Sequence, residues 1–159
     1  MKDELRLYIK NNLIKEKKAF FKSKNASLLE EYALNETSSI NDFINNNKND
    51  DKFQKLLFSY IDNKKIKDSD VYNKVNIDRR LFSKIRNENY HPSKDTIIKL
   101  GIALNLSIEE LETLLSSASY SLPKNNERDL IIRFSFINNI YDINTINDFL
   151  YDYKVNILE

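Results

Sequence analysis

The sequence predicts an all-α protein, and three observations lead to this prediction. The 159 residues include only one Gly and two Pro, although sheet-rich folds draw on both residue types for their many turns. Apolar side chains recur at the spacing of one helix face, and Ser or Asp residues suited to capping precede several of these stripes. The clearest stripe, at i, i+3, i+4, i+7 and i+8, consists of Phe53, Leu56, Leu57, Tyr60 and Ile61.

The first third of the chain predicts a helical extension ahead of the main domain. Apolar spacing indicates helices over residues 3–22 and 27–34, and Ser39 stands where a third helix would be capped. The stretch 45–51 is polar and has the composition of a linker. We therefore predict that residues 1–48 form an N-terminal helical extension.

Four residues in the middle of the chain mark the bounds of two short helices. Asp68 or Ser69 is suited to cap the first of them. Asn76 falls where a turn needs a left-handed residue, a conformation that Asn tolerates better than most residues. Asp78 is suited to cap the second helix. This spacing predicts two short helices joined by a tight turn.

Two further caps predict the helices that follow. Ser93, after Pro92, is suited to begin one helix, and Ser107 with Glu110 forms a capping box at the start of the next. Residues 53–115 would then contain five helices whose apolar stripes share one core. Its predicted members are Phe53, Leu57, Val71, Val75, Phe82, Ile85, Ile97, Leu100, Leu104 and Leu111.

The last part of the chain predicts two more helices. A loop at 123–126 comes first, and apolar stripes then indicate helices near 130–137 and 143–153. The predicted organisation is a central domain over residues 50–120, followed by a C-terminal helical pair, residues 125–159, packed on the core.

Charge is distributed unevenly along the chain, although the net charge is only +1. Residues 1–63 hold 11 basic and 10 acidic side chains, residues 64–99 hold 10 and 5, and residues 100–159 hold 4 and 9. A basic middle between neutral and acidic flanks predicts a local anionic partner. The alternative is that these charges only keep a helix face hydrated.

Several classes of function lack the residues that they need. The chain has no Cys and one His, His91, so we predict neither disulfides nor a zinc site of the usual kind. The single Gly, Gly101, excludes a Gly-rich phosphate loop. We expect no catalytic residues, no cofactor and no enzyme activity. The charged start and the absence of an apolar run of about 20 residues predict a cytoplasmic protein without membrane contact.

Residues 69–93, SDVYNKVNIDRRLFSKIRNENYHPS, resemble the Xre or lambda-repressor-like family. The shared features are a short helix, a turn, a second helix and a Pro-Ser pair that opens the next helix. The resemblance covers about residues 52–118. It implies a lambda-repressor-like helix-turn-helix core with N- and C-terminal helical extensions, in a bacterial or phage transcriptional regulator. Such proteins commonly bind double-stranded DNA half-sites as homodimers.

The resemblance also implies which residues meet DNA. Helix 79–88 would be the recognition helix, entering the major groove. The residues at positions that read bases are Arg79, Arg80, Ser83 and Lys84. The residues suited to phosphate contacts are Arg86, Asn89, Tyr90, His91, Ser93 and Lys94.

Three departures from the family pattern keep a second hypothesis open. Tyr72 stands where the family usually has Ala, Asn76 replaces the turn Gly, and Leu81 is apolar where a small or polar residue often faces DNA. The domain could instead be a protein-interaction module or adaptor, the partner of a toxin, a defence enzyme or another effector. A further alternative is that Arg79 pairs with Asp78 or Asp70 and only solubilises the helix. An exposed, basic helix 79–88 would favour DNA binding.

Overall fold

The computed structural model describes residues 1–13, 40 and 52–159. Within these residues the regular structure is helical and no strand occurs, which confirms the all-α class. The predicted helix over 27–34, the helix start at Ser39, the linker at 45–51 and the second half of the helix over 3–22 lie outside the described residues.

In the first third the described residues 2–13 and residue 40 are helical, and seven helices follow in the continuous stretch from residue 52. Five of the seven fall between Phe53 and Ser117, as the sequence predicts for that region. We label the helix described over residues 2–13 α1. The bounds of the seven that follow are Phe53–Lys64 for α2, Asp68–Lys74 for α3, Arg79–Ile85 for α4, Lys94–Ala103 for α5, Ile108–Ser117 for α6, Glu127–Ile137 for α7 and Ile143–Asp152 for α8.

Three of the predicted caps are confirmed. The Asp78 carboxylate accepts hydrogen bonds from the N–H groups of the second and third residues of α4, at 2.7 and 3.3 Å. The Ser93 hydroxyl accepts from the N–H of Thr96 at 3.2 Å. Ser107 and Glu110 form a complete capping box. Each cap satisfies helix N–H groups that have no partner within the helix.

The predicted cap of α3 is wrong. Lys67 is the N-cap residue, and no side chain bonds to the first N–H groups of this helix. Asp68 already belongs to the helix, and its carboxylate forms an ion pair with Arg86. The Asp68 carboxylate, which its position in the sequence suggested as a cap, therefore pairs with Arg86 of the loop after α4.

Six helices end at a residue with left-handed backbone, and none of these residues is Gly. The residue that follows is apolar in every case, and its N–H bonds to a carbonyl five residues back at 2.8 to 3.3 Å. This is the Schellman arrangement, in which an apolar contact accompanies the reversal of the chain. The left-handed residues are Lys65, Asn76, Asn105, Ser119, Asn139 and Lys154, and the apolar residues after them are Ile66, Ile77, Leu106, Tyr120, Ile140 and Val155.

All described helices contribute to one hydrophobic core. The ten predicted core residues are all buried, and Phe82 of α4 lies near the rings of Tyr72 and Phe58, with centroids 5.5 and 6.2 Å away. Helix α1 adds Leu5 and Ile9 to the same core. The buried residues of α7 and α8 belong to it as well: Leu130, Ile131, Ile132, Phe134, Phe136, Ile143, Ile146, Phe149 and Leu150.

Helix α4 is shorter than predicted. It ends at Ile85 rather than at residue 88, and Arg86 is its C-cap residue. Its seven residues make about two turns, roughly 10 Å of helix. Residues 86–93 form a non-helical connection to α5.

The helix ends provide a first prediction, on stability. A left-handed conformation costs an L-residue about 1–2 kcal/mol, and this exceeds the conformational entropy of about 0.5–1 kcal/mol that Gly loses on folding. Lys65→Gly should therefore raise the free energy of unfolding by about 0.5–1 kcal/mol in urea denaturation. Lys64→Gly, one residue earlier and in helical conformation, should lower it by about 0.5–1 kcal/mol. Equal effects of the two changes would contradict this account.

Gly101 provides a second prediction. It lies inside α5, where Ala is intrinsically better than Gly by about 1 kcal/mol. A Cβ atom at this position would lie 2.8 Å from Leu111 Cδ1 and 3.3 Å from the Phe136 ring, both in the buried core. Overpacking of this kind costs about 1–3 kcal/mol, so Gly101→Ala should lower the free energy of unfolding. In a Leu111→Ala background the nearest clashing atom is absent, so Gly101→Ala should leave the free energy of unfolding, measured by urea denaturation, unchanged or raise it.

Candidate nucleic-acid interface

Helix α4 presents its polar residues to solvent on one side and its apolar residues to the core on the other. Phe82 and Ile85 are 3% and 0% exposed, and Leu81 is half-buried. The four residues predicted to read bases, Arg79, Arg80, Ser83 and Lys84, are all exposed.

The cations of α4 do not pair with neighbouring acids. Arg79, Arg80 and Lys84 form no ion pair within 4.0 Å with a carboxylate of residues 1–13 or 52–159. Asp78 was one of two acids considered as a partner of Arg79 if that residue only solubilises the helix, but its carboxylate caps the helix instead. Three positive charges are thus available on one short exposed surface.

Arg86 connects three helices. Its guanidinium pairs with Asp68 of α3 and lies 4.5 Å from the centroid of the Phe58 ring of α2. This cation–π contact and the ion pair hold the end of α4 against both helices. Arg86 was predicted to contact phosphate, and the structure gives it these partners within the chain.

The loop after α4 is fixed to the start of α2. The Gln54 amide, which is buried, donates to the carbonyls of Asn87 and Tyr90 at 3.2 and 2.9 Å. The Lys52 ammonium lies 2.5 Å from the Glu88 carboxylate. Asn89 remains exposed, and its N–H donates to the Asn87 side chain at 3.0 Å. The loop is thereby ordered by side chains that were not among the predicted site residues.

His91 lies in a hydrogen-bonded cluster with the end of α6. Its Nε2 atom is 2.9 Å from the Ala118 carbonyl, which makes Nε2 a donor. The Tyr120 hydroxyl lies 3.4 Å from Nδ1 and 3.2 Å from the Pro92 carbonyl. Both ring nitrogens of His91 thus have neighbours within the chain, although the ring is exposed.

Lys94 is held by an acid in a different part of the chain. Its ammonium lies 2.7 Å from the Asp129 carboxylate of α7, which is only 6% exposed. The Asn126 amide donates to the other oxygen of that carboxylate at 2.8 Å. Ser93, beside Lys94, uses its hydroxyl as the cap of α5. Lys94 thus joins α5 to α7, and Ser93 caps α5.

Some cations of the basic middle of the chain therefore bond to groups of the same chain. Lys74 donates to Asn105 Oδ1 at 2.6 Å and to the last carbonyls of α5 at 3.3 Å, and burial lowers its pKa. Lys99 is buried and donates to the main-chain oxygen of Glu159 at 2.7 Å. The basic residues of 64–99 that form no ion pair or hydrogen bond of this kind with described residues are Lys64, Lys65, Lys67, Arg79, Arg80 and Lys84.

Lys64, Lys65 and Lys67 were not among the predicted site residues. They are exposed and lie at the end of α2 and immediately before α3. The uneven charge count was the signal that could have identified them, since they contribute three of its ten cations.

Comparisons with models of protein families, with curated proteins and with solved structures give no match for this chain. The described residues contain no cluster of three His, Asp or Glu side chains that could hold a metal ion. No described helix has the length and apolar character that crossing a membrane requires. What the chain binds is therefore inferred from the chemistry of its surface.

The Lys94–Asp129 pair provides a third prediction. Removal of one partner leaves a buried charge uncompensated, which costs about 3–5 kcal/mol for a fully buried pair. Because Lys94 is 24% exposed, Lys94→Ala should lower the free energy of unfolding by less, about 2–3 kcal/mol. In an Asp129→Asn background the same change should cost under about 1 kcal/mol. An undiminished cost in that background would show that the pair is not responsible.

Proposed function

We propose that this protein binds double-stranded DNA in a sequence-specific manner, as a transcriptional regulator, with α4 as the recognition helix. The observation that supports this most strongly is the exposed side of α4, where Arg79, Arg80 and Lys84 carry charges that no described carboxylate neutralises. Phosphates and base edges of DNA provide the acceptors that such side chains lack within the chain.

The size of α4 fits a role in the major groove. The groove is about 12 Å wide and admits one helix, and two turns of helix give about 10 Å of contact. Arg79 and Arg80, in the first turn, can each form two hydrogen bonds with O6 and N7 of a guanine. Ser83 and Lys84, one turn later, would reach neighbouring base edges.

The packing behind α4 supports its orientation. Asn76 and Ile77 reverse the chain between α3 and α4, Tyr72 packs on Phe82, and Arg86 holds the end of the helix. A rigid support of this kind lowers the entropy lost when a helix binds in a groove. The lambda-repressor-like arrangement remains part of the proposal, with Tyr72 in place of the smaller residue that the family uses.

Phosphate contacts are proposed for Lys64, Lys65 and Lys67 together with Asn89, because all four side chains are exposed. Cations near the backbone of DNA provide most of the sequence-independent affinity, and that part of the affinity falls as the salt concentration rises. As in the family that the sequence resembles, two copies would bind two half-sites one helical turn apart.

A fourth prediction tests the base contacts. Selection of bound sequences from random duplexes should enrich one motif, and Arg79→Ala or Arg80→Ala should each weaken binding to it by about 1–3 kcal/mol and relax preference at one base position. Lys55→Ala is a matched control, since Lys55 is an exposed cation on α2 outside the proposed surface. The control should leave the base preference unchanged.

The outcome that would contradict the proposal is equally specific. If no motif is enriched, and if binding is weak and disappears by about 150 mM salt, the attraction is only electrostatic. The adaptor hypothesis would then be the better account of the fold.

A further inference from the structure

Leu81 lies at the edge of the exposed side of α4. It is the third residue of the helix and is half-buried, whereas the next apolar residues, Phe82 and Ile85, are buried. One part of the Leu81 side chain packs against the hydrophobic core, and the rest remains accessible to solvent. Leu81 therefore belongs both to the core and to the surface that carries the cations of α4.

The geometry of the helix makes Leu81 a neighbour of Lys84 and Arg80. Successive residues are about 100° apart around a helix axis, so Leu81 is about 40° from Ile85 on the core side and about 60° from Lys84 on the exposed side. Arg80 lies about 40° beyond Lys84, and Arg79 lies about 160° from Leu81. The two arginines are thus at different distances from the exposed part of Leu81.

The position of Leu81 is fixed within the domain itself. Its N–H donates to the Asp78 carboxylate at 3.3 Å, so that its backbone is part of the cap of α4. The next residue, Phe82, lies near the rings of Tyr72 and Phe58. A side chain that is already held in place loses little conformational entropy when its exposed part is covered by a ligand.

The major groove of DNA offers one kind of partner to an apolar side chain. The base edges present hydrogen-bond donors and acceptors there, and the apolar group among them is the C5-methyl group of thymine. Against a polar edge, Leu81 would displace water and provide no hydrogen bond in return, which is unfavourable. Against a thymine methyl group, both partners remove apolar surface from water.

On the basis of the proposed function, we propose that Leu81 is a specificity-determining residue, which selects thymine through its methyl group. This thymine lies next to the base pair that Arg80 contacts, because the two side chains are neighbours on the exposed side of α4. The base pair that Arg79 contacts lies farther away. The apolar residue at position 81, a departure from the family that the sequence resembles, then contributes directly to the recognition of DNA.

The test replaces each thymine of the selected motif in turn with uracil, which lacks only the methyl group. Fluorescence anisotropy of the labelled duplex measures its binding by the full chain. One replacement, next to the position that Arg80→Ala relaxes, should weaken binding of the wild type about fourfold, the factor that burial of one methyl group gives. Leu81→Ala should bind the thymine and uracil duplexes equally.

Leu56→Ala is the matched control, because Leu56 is also half-buried but lies on α2. It should keep the fourfold preference for thymine, and circular dichroism should show that both variants keep the helicity of the wild type. If Leu81→Ala loses helicity, the position of the sensitive thymine decides the question in the wild type. A sensitive thymine that does not adjoin the position relaxed by Arg80→Ala would contradict the proposal.

The remaining outcomes separate this inference from the proposed function. If a motif is selected and every replacement by uracil is neutral, the role of Leu81 is wrong and the proposed function stands. The same conclusion follows if folded Leu81→Ala still prefers thymine about fourfold. If no motif is selected, the proposed function and the role of Leu81 are both wrong.

Discussion

The fold depends on reversing the chain after its helices without glycine. Six of the seven helices between residues 53 and 152 end at a left-handed residue, and the apolar side chain that follows packs against the core. Each reversal costs backbone strain, and burial of that apolar side chain offsets it. Helix α4 is the exception, because its C-cap residue Arg86 keeps a right-handed conformation and holds the helix end through Asp68 and Phe58.

The contacts at both ends of α4 determine which of its side chains are exposed. The helix is oriented from one end by the turn at Asn76 and from the other by the Arg86 contacts, so that Phe82 and Ile85 face the core. Because Phe82 and Ile85 lie on the core side, the cations on the other side of the helix are exposed to solvent. The exposure of Arg79, Arg80 and Lys84, on which the proposed function depends, is thus fixed by packing elsewhere in the domain.

Much of the fold could be predicted from the sequence because the determining patterns are local. The caps at Asp78, Ser93 and Ser107 and the left-handed Asn76 each depend on a few neighbouring residues, and the structure confirms them. The cap of α3 could not be predicted in this way, since Asp68 is used by a residue 18 positions away. The sequence reasoning missed the other five left-handed positions. Lys65, Ser119 and Lys154 give no local signal for that conformation, whereas Asn105 and Asn139 belong to the residue type that tolerates it and could have been predicted.

In the candidate site the exposure of the α4 cations could be predicted from the sequence, whereas the partners of Arg86, His91 and Lys94 could not. Exposed cations on α4 follow from helix periodicity alone, whereas the partners of Arg86, His91 and Lys94 lie 18 to 35 residues away along the chain. A positive charge in a sequence says nothing about whether a distant carboxylate neutralises it. For the same reason the contacts of residues 156–159 with Lys99, Arg128 and Asn147 had no counterpart in the sequence pattern.

The most direct test of the proposed function is a map of the surface that meets DNA. Amide resonances of the labelled full chain should be followed by NMR while a duplex is added at near-physiological salt. We predict that the largest chemical-shift changes fall on the amides of α4 and of residues 64–67, with smaller changes in the loop after α4. Shifts confined to other surfaces, or none at all under conditions where the protein stays folded, would contradict it.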